Sequence, residues 1–274
     1  MILSEALKEA IKTLTLANIQ DPIRDARVLM RHAIGDENGP IETQSVLSKS
    51  QLTRFNQSIS QRANHRPVSQ ILGYREFWGR RFEVSQDTLD PRPDTELLIE
   101  LALNIKPKPT SVLDLGTGTS CILSTLLSEW PECLGVGTDV NLETLKVAQR
   151  NLEQFKLSDR AVLKPSHWFE EVTGKYDLIV SNPPYISERD LNTLAPDVLN
   201  WEPKIALSPG GDGLDAYREI FKRAHDYLNS NGTVLVEIGH DQGEAVTELA
   251  NASEFTDVEL HKDLNGKDRA VIAR

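Results

Sequence analysis

A run of glycine, threonine and acidic residues stands where a short apolar segment passes into an amphipathic one. The strand-like segment SVLDL ends in the run Asp114-Leu115-Gly116-Thr117-Gly118-Thr119-Ser120. In an open α/β sheet, ligands bind beyond the carboxyl ends of the strands, and glycines there allow the backbone to approach a ligand closely. The run therefore predicts a ligand-binding turn, although Gly-x-Gly by itself is equally typical of a plain tight turn.

A second acidic residue, Asp139, ends the next strand-like segment, 25 residues after Asp114. An acidic side chain at that position can accept both hydroxyl groups of a ribose. The alternative is a loop residue ahead of the helix that begins near Asn141. Together with the glycine turn, Asp139 favours an adenosine-type cofactor. A dinucleotide is disfavoured, because Cys121 stands where the third glycine of Gly-x-Gly-x-x-Gly is expected.

A third group, Asn182-Pro183-Pro184-Tyr185, follows the segment YDLIVS. An amide nitrogen or an aromatic exocyclic amine is a poor nucleophile, because its lone pair is delocalised. Two acceptors that take both N–H hydrogens would hold that lone pair towards a methyl donor. Rigid prolines would keep such acceptors in place, and the Tyr185 ring would pack on a planar group. Catalysis would then rest on positioning and electrostatics, with no side-chain general base.

These blocks resemble two motifs of class I methyltransferases that use S-adenosyl-L-methionine. The D-L-G-T-G block at 114–118 resembles motif I, and residues 182–185 resemble the N/D-P-P-Y/F motif. The resemblance implies that the glycine turn passes under the methionine moiety. It also implies that the two acceptors are the Asn182 side-chain oxygen and the Pro183 carbonyl. A plain Pro-rich turn after a strand is the alternative.

Ser166-His167-Trp168-Phe169 lies between these blocks. Trp168 could cover the face of an adenine or simply pack in the core. His167 could hydrogen-bond adenine or lie in solvent. Since the histidines lack the spacing of metal ligands, no metal is predicted. Cys121 and Cys133 are too few for a disulfide framework and lack zinc-ligand spacing, so we expect both to be reduced and buried.

Alternating strands and helices from residue 111 onward would position these groups. The strand-like segments are SVLDL, CLGVGTD, AVL, YDLIVSN and TVLVEIG, with amphipathic helices near 119–129, 141–155, 214–228 and 241–251. Such alternation predicts a parallel sheet with helices on both faces. FTDVELHKDL and DRAVIA, joined by Asn265-Gly266, predict an antiparallel hairpin at its edge. We expect an α/β fold with a mostly parallel seven-stranded sheet, Rossmann-like and class I methyltransferase-like.

The first 65 residues indicate helices alone. One helix contains Leu3, Leu7, Ala10, Ile11 and Leu14, and a second starts at Asp21-Pro22 and is expected to bury Ile23, Ala26, Val28, Leu29 and Ala33. Turn residues occupy 35–40, and a third helix is expected over Gln51 to Arg62, with Leu52, Phe55 and Ile59 on one face.

EFWGRRFEV at 76–84 predicts a hairpin that turns at Gly79, and Pro91-Arg92-Pro93 predicts an extended linker into a helix capped by Asp94. The predicted domains are therefore a helical substrate-recognition domain at 1–75, a β-hairpin linker at 76–92 and a methyltransferase domain at 93–274.

Composition narrows the class of protein. The 274 residues carry a net charge of −11, divided as +3 over residues 1–75 and −14 over 76–274. The larger part repels a phosphate backbone, which argues against a nucleic-acid substrate. No apolar stretch is long enough for a membrane span, and the acidic N-terminal segment is unlike a secretory signal. A cytoplasmic location is expected.

Along almost its whole length the sequence resembles the release-factor glutamine methyltransferase family, PrmC/HemK. The matching blocks are PVSQILGYREFWGRRFEV, LDPRPDTELLIE, VLDLGTGTSCI, IVSNPPYI, EPKIALSPGGDGLDAYR and VEIGHDQG. The resemblance implies methyl transfer from S-adenosyl-L-methionine to the glutamine side-chain amide in the Gly-Gly-Gln motif of class I peptide chain release factors. The products would be N5-methylglutamine and S-adenosyl-L-homocysteine.

The same resemblance implies which residues bind each ligand. The cofactor would contact Asp114, Gly116, Thr117, Gly118, Thr119, Ser120, Asp139, Val140, His167, Trp168 and Asn182. The substrate would contact Asn182, Pro183, Pro184, Tyr185, Arg92 and Glu96, with Asp94 beside them at the mouth of the site. Alternatively, Asp94 caps a helix, Glu96 lies in its first turn and Arg92 is a solvated partner of either. Relatives typically have glycine at the position of Ser120 and aspartate at that of His167.

Three other functions compete with this one. A paralogous family methylates a glutamine of a large-subunit ribosomal protein, but its linker usually reads P-R-S-x-x-x-E, whereas this chain has Pro91-Arg92-Pro93-Asp94-Thr95-Glu96. A DNA or RNA amine methyltransferase would be expected to add a basic, aromatic-rich domain. A non-catalytic binding module would not need an intact Asn182-Pro183-Pro184-Tyr185. The expected partner is a release factor, with no direct nucleic-acid or membrane contact, and the expected state is a monomer.

Overall fold

The computed structural model describes residues 1–36 and 42–274. The chain divides into two compact units. A helical unit holds Met1–Tyr74 and Ala195–Trp201, and a sheet unit holds Arg75–Leu194 and Glu202–Arg274.

The helices in the described residues are α1 (Leu3–Leu16), α2 (Pro22–Ile34), α3 (Lys49–Ala63), α4 (Val68–Leu72), α5 (Glu96–Asn104), α6 (Cys121–Glu129), α7 (Leu142–Gln154), α8 (Pro196–Trp201), α9 (Lys204–Leu207), α10 (Asp215–Tyr227) and α11 (Gly243–Ala252). The strands there are β1 (Tyr74–Phe77), β2 (Arg80–Glu83), β3 (Ser111–Leu115), β4 (Leu134–Asp139), β5 (Ala161–Pro165), β6 (Tyr176–Ser181), β7 (Leu228–Glu237), β8 (Val258–Lys262) and β9 (Asp268–Ala273). Short 3₁₀ turns cover Pro93–Thr95 and Leu191–Thr193.

Local sequence sets the ends of the helices in the helical unit. The Asp21 carboxylate accepts a hydrogen bond from the Arg24 backbone N–H at 3.2 Å, with proline at the first position of α2. Gly35 ends α2 in the left-handed conformation, with φ of 77°. The remainder of the predicted 35–40 turn, from residue 37 on, lies outside the described residues. Ser48 caps α3 through the Gln51 N–H at 3.2 Å.

The buried stripe of α2 differs from the prediction at two positions. Ile23 is 49% exposed and Val28 is only half-buried, so the prediction that both are core residues is wrong. The stripe runs instead through Asp25, whose carboxylate pairs with Arg62 Nε at 2.7 Å while both side chains are buried. A buried ion pair thus stands where apolar contact was expected.

The segment Ala195–Trp201 belongs to the helical unit although it lies far along the chain. Trp201 Nε1 donates to the Asn64 carbonyl at 3.0 Å, and Gln70 Nε2 donates to the Trp201 carbonyl at 2.9 Å. Arg62 also lies 3.5 Å from the Asp197 carboxylate. Sequence analysis placed this segment in the methyltransferase domain, since no local pattern separates it.

The sheet unit contains seven strands in the order β5-β4-β3-β6-β7-β9-β8. The first five are parallel, and β9 pairs antiparallel with both β7 and β8. Side chains of β3 alternate between the two faces, so Val112 joins one apolar core and Leu113 joins the other. Burial on both faces explains why the parallel strands read as continuous apolar runs. The predicted seven-stranded α/β fold is confirmed.

A two-stranded hairpin precedes the sheet. Trp78 and Gly79 form its turn with φ of 51° and 67°, and β1 pairs with β2. The Trp78 N–H donates to Glu96 Oε1 at 2.7 Å, which ties the turn to the start of α5.

The prediction that Asp94 caps a helix is wrong. Asp94 lies inside the 3₁₀ turn ahead of α5, and the flanking Thr95 makes no side-chain capping bond to that helix. The Asp94 carboxylate instead lies 3.2 Å from Arg269 of β9. The proline at position 93 begins the turn early, which carries Asp94 past the capping position.

Candidate active site

The carboxyl ends of three neighbouring strands meet at one edge of the sheet. Leu115 of β3 is in register with Thr138 of β4 on one side and Ser181 of β6 on the other. The next residues along the chain are therefore neighbours, although Gly116 and Asn182 are far apart in sequence. The sheet register brings together the glycine turn, the acidic strand end and the Asn-Pro-Pro-Tyr motif.

Backbone geometry defines the glycine turn. Gly116 and Gly118 have φ of 69° and 55°, a region that L-residues rarely adopt. The Thr117 N–H donates to the Thr138 carbonyl at 2.8 Å, and the Gly118 N–H donates to Asp139 Oδ2 at 3.2 Å. The turn is thus held against the end of β4, and it exposes its backbone without side-chain cover.

Ser120 takes the same left-handed conformation without being glycine, with φ of 66°. Its side chain is fully buried, and its Oγ lies 2.6 Å from Ser124 Oγ in the first turn of α6. A hydroxyl pair therefore offsets part of the backbone strain of roughly 1 kcal/mol. Ser120 is not among the residues that line the cavity at this edge of the sheet, and its buried side chain contacts α6 instead.

A buried carboxyl group, that of Asp114, and a half-buried one, that of Asp139, flank the turn. Burial raises the pKa of Asp114 to about 7. A hydrogen bond from Thr117 Oγ1 to Asp114 Oδ2, at 2.7 Å, acts in the opposite direction and lowers this pKa. Burial also raises the pKa of Asp139, partly offset by hydrogen bonds from the N–H groups of Asn141 and Gly118. Both groups therefore hold a proton up to a higher pH than an exposed aspartate does.

Asn182 follows directly after β6 and is held from behind. Its Nδ2 donates to Thr95 Oγ1 at 3.1 Å, and Thr95 Oγ1 donates to Glu237 Oε2 at 2.6 Å. Tyr185 lies at the far end of the motif, where Gln242 Nε2 donates to its backbone carbonyl at 2.9 Å. The motif is thus held at Asn182 by Thr95, which Glu237 of β7 holds in turn, and at Tyr185 by Gln242 in the loop after β7.

A cavity of about 550 Å³ opens at this edge of the sheet. Its lining includes predicted site residues from five separate chain segments: Arg92, Gly116, Thr117, Gly118, Thr119, Asp139, Val140, His167, Trp168, Asn182 and Pro184. The Trp168 ring is half-buried against the core beside the cavity, whereas the His167 side chain is 63% exposed. The structure therefore brings together most of the residues singled out for the cofactor.

Other predicted residues lie elsewhere. Within the described residues, Asp114, Pro183, Tyr185, Glu96 and Asp94 do not line the cavity. The Glu96 carboxylate is engaged by the hairpin turn, as described above. Contact of Glu96 with the substrate stays a prediction.

Arg92 does line the cavity, and the carboxylate of Glu202 holds it in place. Its Nη2 lies 2.6 Å from both Oε1 and Oε2 of Glu202. The Glu202 side chain is only 1% exposed, while that of Arg92 is 35% exposed. This charge-assisted pair, in which one guanidinium nitrogen contacts both carboxylate oxygens, fixes the guanidinium at the cavity wall.

Sequence reasoning missed several residues at the site. Thr95 contacts Asn182 and lines the cavity, Glu237 and Gln242 contact Tyr185, and Glu202 contacts Arg92. One pattern could have found Glu237: it is an acidic residue at the end of an apolar strand, as Asp139 is. The partners of the others are distant in the chain, so no spacing pattern marks them.

Cys121 and Cys133 are both free and buried, and burial raises the pKa of Cys121 to about 12. In residues 1–36 and 42–274 no three His, Cys, Asp or Glu side chains form a group that could hold a metal ion. The expectation of no metal stays a prediction. None of the helices that the structure describes has the length and apolar character to cross a bilayer.

Comparison with known families gives two matches along the chain. The methyltransferase small domain matches residues 84–214, and the PrmC N-terminal domain matches residues 5–73. A release factor glutamine methyltransferase of Cereibacter sphaeroides is 46% identical over 273 residues, covering 99% of this chain and 98% of the relative. The enzyme of the same description from Rhodospirillum rubrum is 37% identical, covering 100% of this chain and 85% of the relative.

Solved structures share the fold at low identity. The hMettl16 catalytic domain, in complex with a MAT2A 3′UTR hairpin, has a TM-score of 0.63 at 18% identity, covering 77% of this chain and 82% of that one. A methyltransferase from Pyrococcus furiosus has a TM-score of 0.54 at 18% identity, covering 72% of this chain and 89% of that one.

The sheet order, the glycine turn at the end of β3 and the Asn-Pro-Pro-Tyr motif at the end of β6 together define a class I methyltransferase. Given the full-length identity to the curated relatives, the chain belongs to the release factor glutamine methyltransferase family.

Proposed function

We propose that the protein methylates the glutamine side-chain amide of the Gly-Gly-Gln motif in class I peptide chain release factors, with S-adenosyl-L-methionine as the donor. The observation that carries this proposal is the position of Asn182, at the wall of the cavity that also contains the glycine turn and Asp139. An acceptor for an amide and a turn suited to an adenosine-type cofactor thus share one space. Family membership supplies the identity of the protein substrate.

The residues at the turn fit S-adenosyl-L-methionine. The backbone of Gly116 and Gly118 borders the cavity with no Cβ atoms, Asp139 offers a carboxylate for a ribose, and the Trp168 ring offers an apolar face for adenine. Val140 extends this wall with an apolar side chain that is 50% exposed. When bound, S-adenosyl-L-methionine supplies an electrophilic methyl group.

Asn182 and Pro183 would orient the attacking nitrogen. The Nδ2 group of Asn182 is taken by Thr95, so its Oδ1 is left to accept one N–H of the substrate glutamine. The Pro183 carbonyl would accept the other N–H, and the rigid prolines would hold both acceptors in place. The lone pair of the amide nitrogen would then point at the donor. This positioning needs no side-chain base.

Tyr185 and Arg92 would complete the substrate side of the site. Burial raises the pKa of the Tyr185 phenol, so the ring stays neutral and can pack against a planar amide. Arg92, held by Glu202 at the cavity wall, would donate to backbone carbonyls of the substrate loop.

The helical unit is proposed to bind the release factor outside its Gly-Gly-Gln loop. Residues 1–75, which contain the N-terminal part of this unit, carry a net charge of +3, in contrast to −14 for residues 76–274. We further propose that the protein acts as a cytoplasmic monomer and makes no direct contact with nucleic acid.

The test is methyl transfer from labelled S-adenosyl-L-methionine to a purified class I release factor. Parallel reactions contain the release factor with its Gly-Gly-Gln glutamine changed to alanine, a large-subunit ribosomal protein, and DNA. Label in the wild-type release factor alone is the expected result. Label in the ribosomal protein instead would contradict the proposed substrate. Label in the alanine variant would contradict the proposed site of methylation.

A further inference from the structure

A chain of buried polar side chains runs behind Asn182. Glu237, at the end of β7, is 1% exposed, and Thr95, ahead of α5, is 2% exposed. Glu237 Oε2 accepts from Thr95 Oγ1 at 2.6 Å, and Thr95 Oγ1 in turn accepts from Asn182 Nδ2 at 3.1 Å. Thr95 is 87 residues from Asn182 and 142 residues from Glu237 along the chain, so only the fold brings the three together.

The direction of these hydrogen bonds follows from the chemistry of the three groups. An ionised carboxylate can only accept, so the Thr95 hydroxyl must donate its single hydrogen to Glu237. Its oxygen lone pair is then the group left for Asn182, and it can accept only from Nδ2. The amide of Asn182 is therefore held in one of its two possible orientations, with Oδ1 directed away from Thr95.

We propose that Glu237 and Thr95 are positioning residues, which fix the Asn182 amide so that its oxygen is presented to the substrate nitrogen. This inference rests on the proposed function, because the orientation matters only if Asn182 must accept an N–H. In the opposite orientation Asn182 would present a donor to a donor, and the substrate amide would lose one of its two acceptors.

The surroundings of Glu237 support a role beyond packing. The Tyr185 hydroxyl lies 3.5 Å from its Oε1, and the Tyr217 hydroxyl donates to its backbone carbonyl at 3.0 Å. The charges of Arg269 and Asp94 act on it from β9 and the 3₁₀ turn. Burial is the main reason that the pKa of Glu237 is raised to about 7.

Protonation of Glu237 would remove the constraint on direction. A neutral carboxyl can donate to Thr95, which frees the threonine hydroxyl to donate to Asn182 Oδ1 and so permits the reversed amide. The rate of methyl transfer at saturating donor and release factor is therefore expected to rise as pH increases through about 7.

The first experiment compares Thr95→Val with Thr95→Ser. Valine keeps the volume but removes the hydroxyl, so kcat should fall by at least about tenfold, the scale expected when a reacting group is misplaced. The dissociation constant for S-adenosyl-L-methionine, measured by calorimetry, should stay within about threefold, and serine should restore most of the lost kcat. A purely structural role would instead lower the unfolding temperature and weaken donor and release-factor binding together.

The second experiment compares pH profiles of kcat for wild type, Glu237→Gln and the control Glu244→Gln, which changes an exposed glutamate of α11. The step near pH 7 should vanish in E237Q and persist in E244Q. A wild-type kcat in T95V, or a wild-type pH step in E237Q, would overturn the inference while leaving the proposed function intact. Absence of any transfer by the wild-type chain would overturn both. If T95V fails to fold, the pH profiles decide.

Discussion

Gly213 faces the backbone carbonyl oxygen of Tyr185 so closely that a methyl group on Gly213 would collide with that oxygen. Gln242 Nε2 donates to the same carbonyl and lies 3.4 Å from the Gly213 carbonyl. The loop before α10 and the loop after β7 therefore both fix the position of the Tyr185 backbone, at the end of the Asn-Pro-Pro-Tyr motif.

Gly213→Ala is expected to displace Tyr185 and lower kcat for release-factor methylation by about tenfold or more. The matched control is Gly210→Ala in the same loop. Both glycines have positive φ, 84° and 93°, but a Cβ on Gly210 would meet only Glu188 Oε1 at 3.7 Å. Steady-state kinetics of the two variants separate backbone strain, which they share, from the collision, which only G213A has. Equal kcat values would contradict the prediction.

Asn182→Ala is expected to abolish methyl transfer while leaving S-adenosyl-L-methionine binding within about tenfold. The change removes the acceptor for the substrate amide and only a small part of the cavity wall. Labelled methyl transfer and donor binding by calorimetry check the two halves separately. Near wild-type transfer would refute the role assigned to Asn182.

Gly116→Ala is expected to weaken binding of S-adenosyl-L-methionine by about tenfold or more. Gly116 has φ of 69° and lines the cavity, so an added methyl group both strains the turn and enters space next to the ligand. Gly174→Ala is the control, because Gly174 has φ of 87°, meets nothing within 4 Å and is not a lining residue. Both variants should lose about 1–2 kcal/mol of unfolding free energy, but calorimetry should show weaker binding only for G116A.

Asp114→Asn is expected to reduce the dependence of stability on pH. Because the folded-state pKa of Asp114 is raised from 3.8 to about 7, its contribution to stability is fully present below about pH 4 and is lost as pH rises through 7. The wild-type free energy of unfolding should therefore fall between about pH 4 and about pH 7, and fall less in D114N. The effect is reduced rather than abolished, since Glu237 titrates in the same range.

Urea denaturation at several pH values measures these slopes. Asp159→Asn, at an exposed position, serves as the control and should keep the wild-type slope. An unchanged slope in D114N would show that its carboxyl group does not bind a proton preferentially in the folded state.

Charge reversal on the helical unit tests its proposed role in binding the release factor. Lys8, Lys12 and Arg27 are exposed. The triple change to glutamate should raise KM for the whole release factor by about tenfold, at about 1 kcal/mol or less per exposed charge. KM for a short Gly-Gly-Gln peptide should not change, because the peptide lacks the surface outside the loop. A parallel rise in both KM values would contradict the proposed role.

Much of the sheet unit could be predicted because its signals are local. Apolar runs such as SVLDL mark strands buried on both faces, and parallel strands place their carboxyl ends at one edge. Gly116, Asp139 and Asn182 each directly follow or end such a strand, so their proximity followed from the fold class alone.

The rest depends on contacts between distant segments. Thr95 looks like a helix-start residue and Glu237 like one polar residue in an apolar strand; their roles appear only when α5 and β7 are folded against β6. Asp94 was misassigned because its true partner, Arg269, is 175 residues away. Ile23 was misassigned because periodicity cannot show that a buried ion pair, Asp25 with Arg62, takes the place of an apolar contact.

Because Ala195–Trp201 belongs to the helical unit, recombination with a relative is constrained at more than one place in the sequence. Because the chain passes between its two units after residues 74, 194 and 201, the helical unit is not a removable N-terminal module. A recombination event that replaced only residues 1–74 would separate Trp201 from Asn64 and Gln70. The next residue, Glu202, holds Arg92 at the cavity wall. Viable chimaeras must therefore inherit both segments from one parent, so the surface proposed to choose the protein substrate and the wall of the catalytic cavity are expected to evolve together.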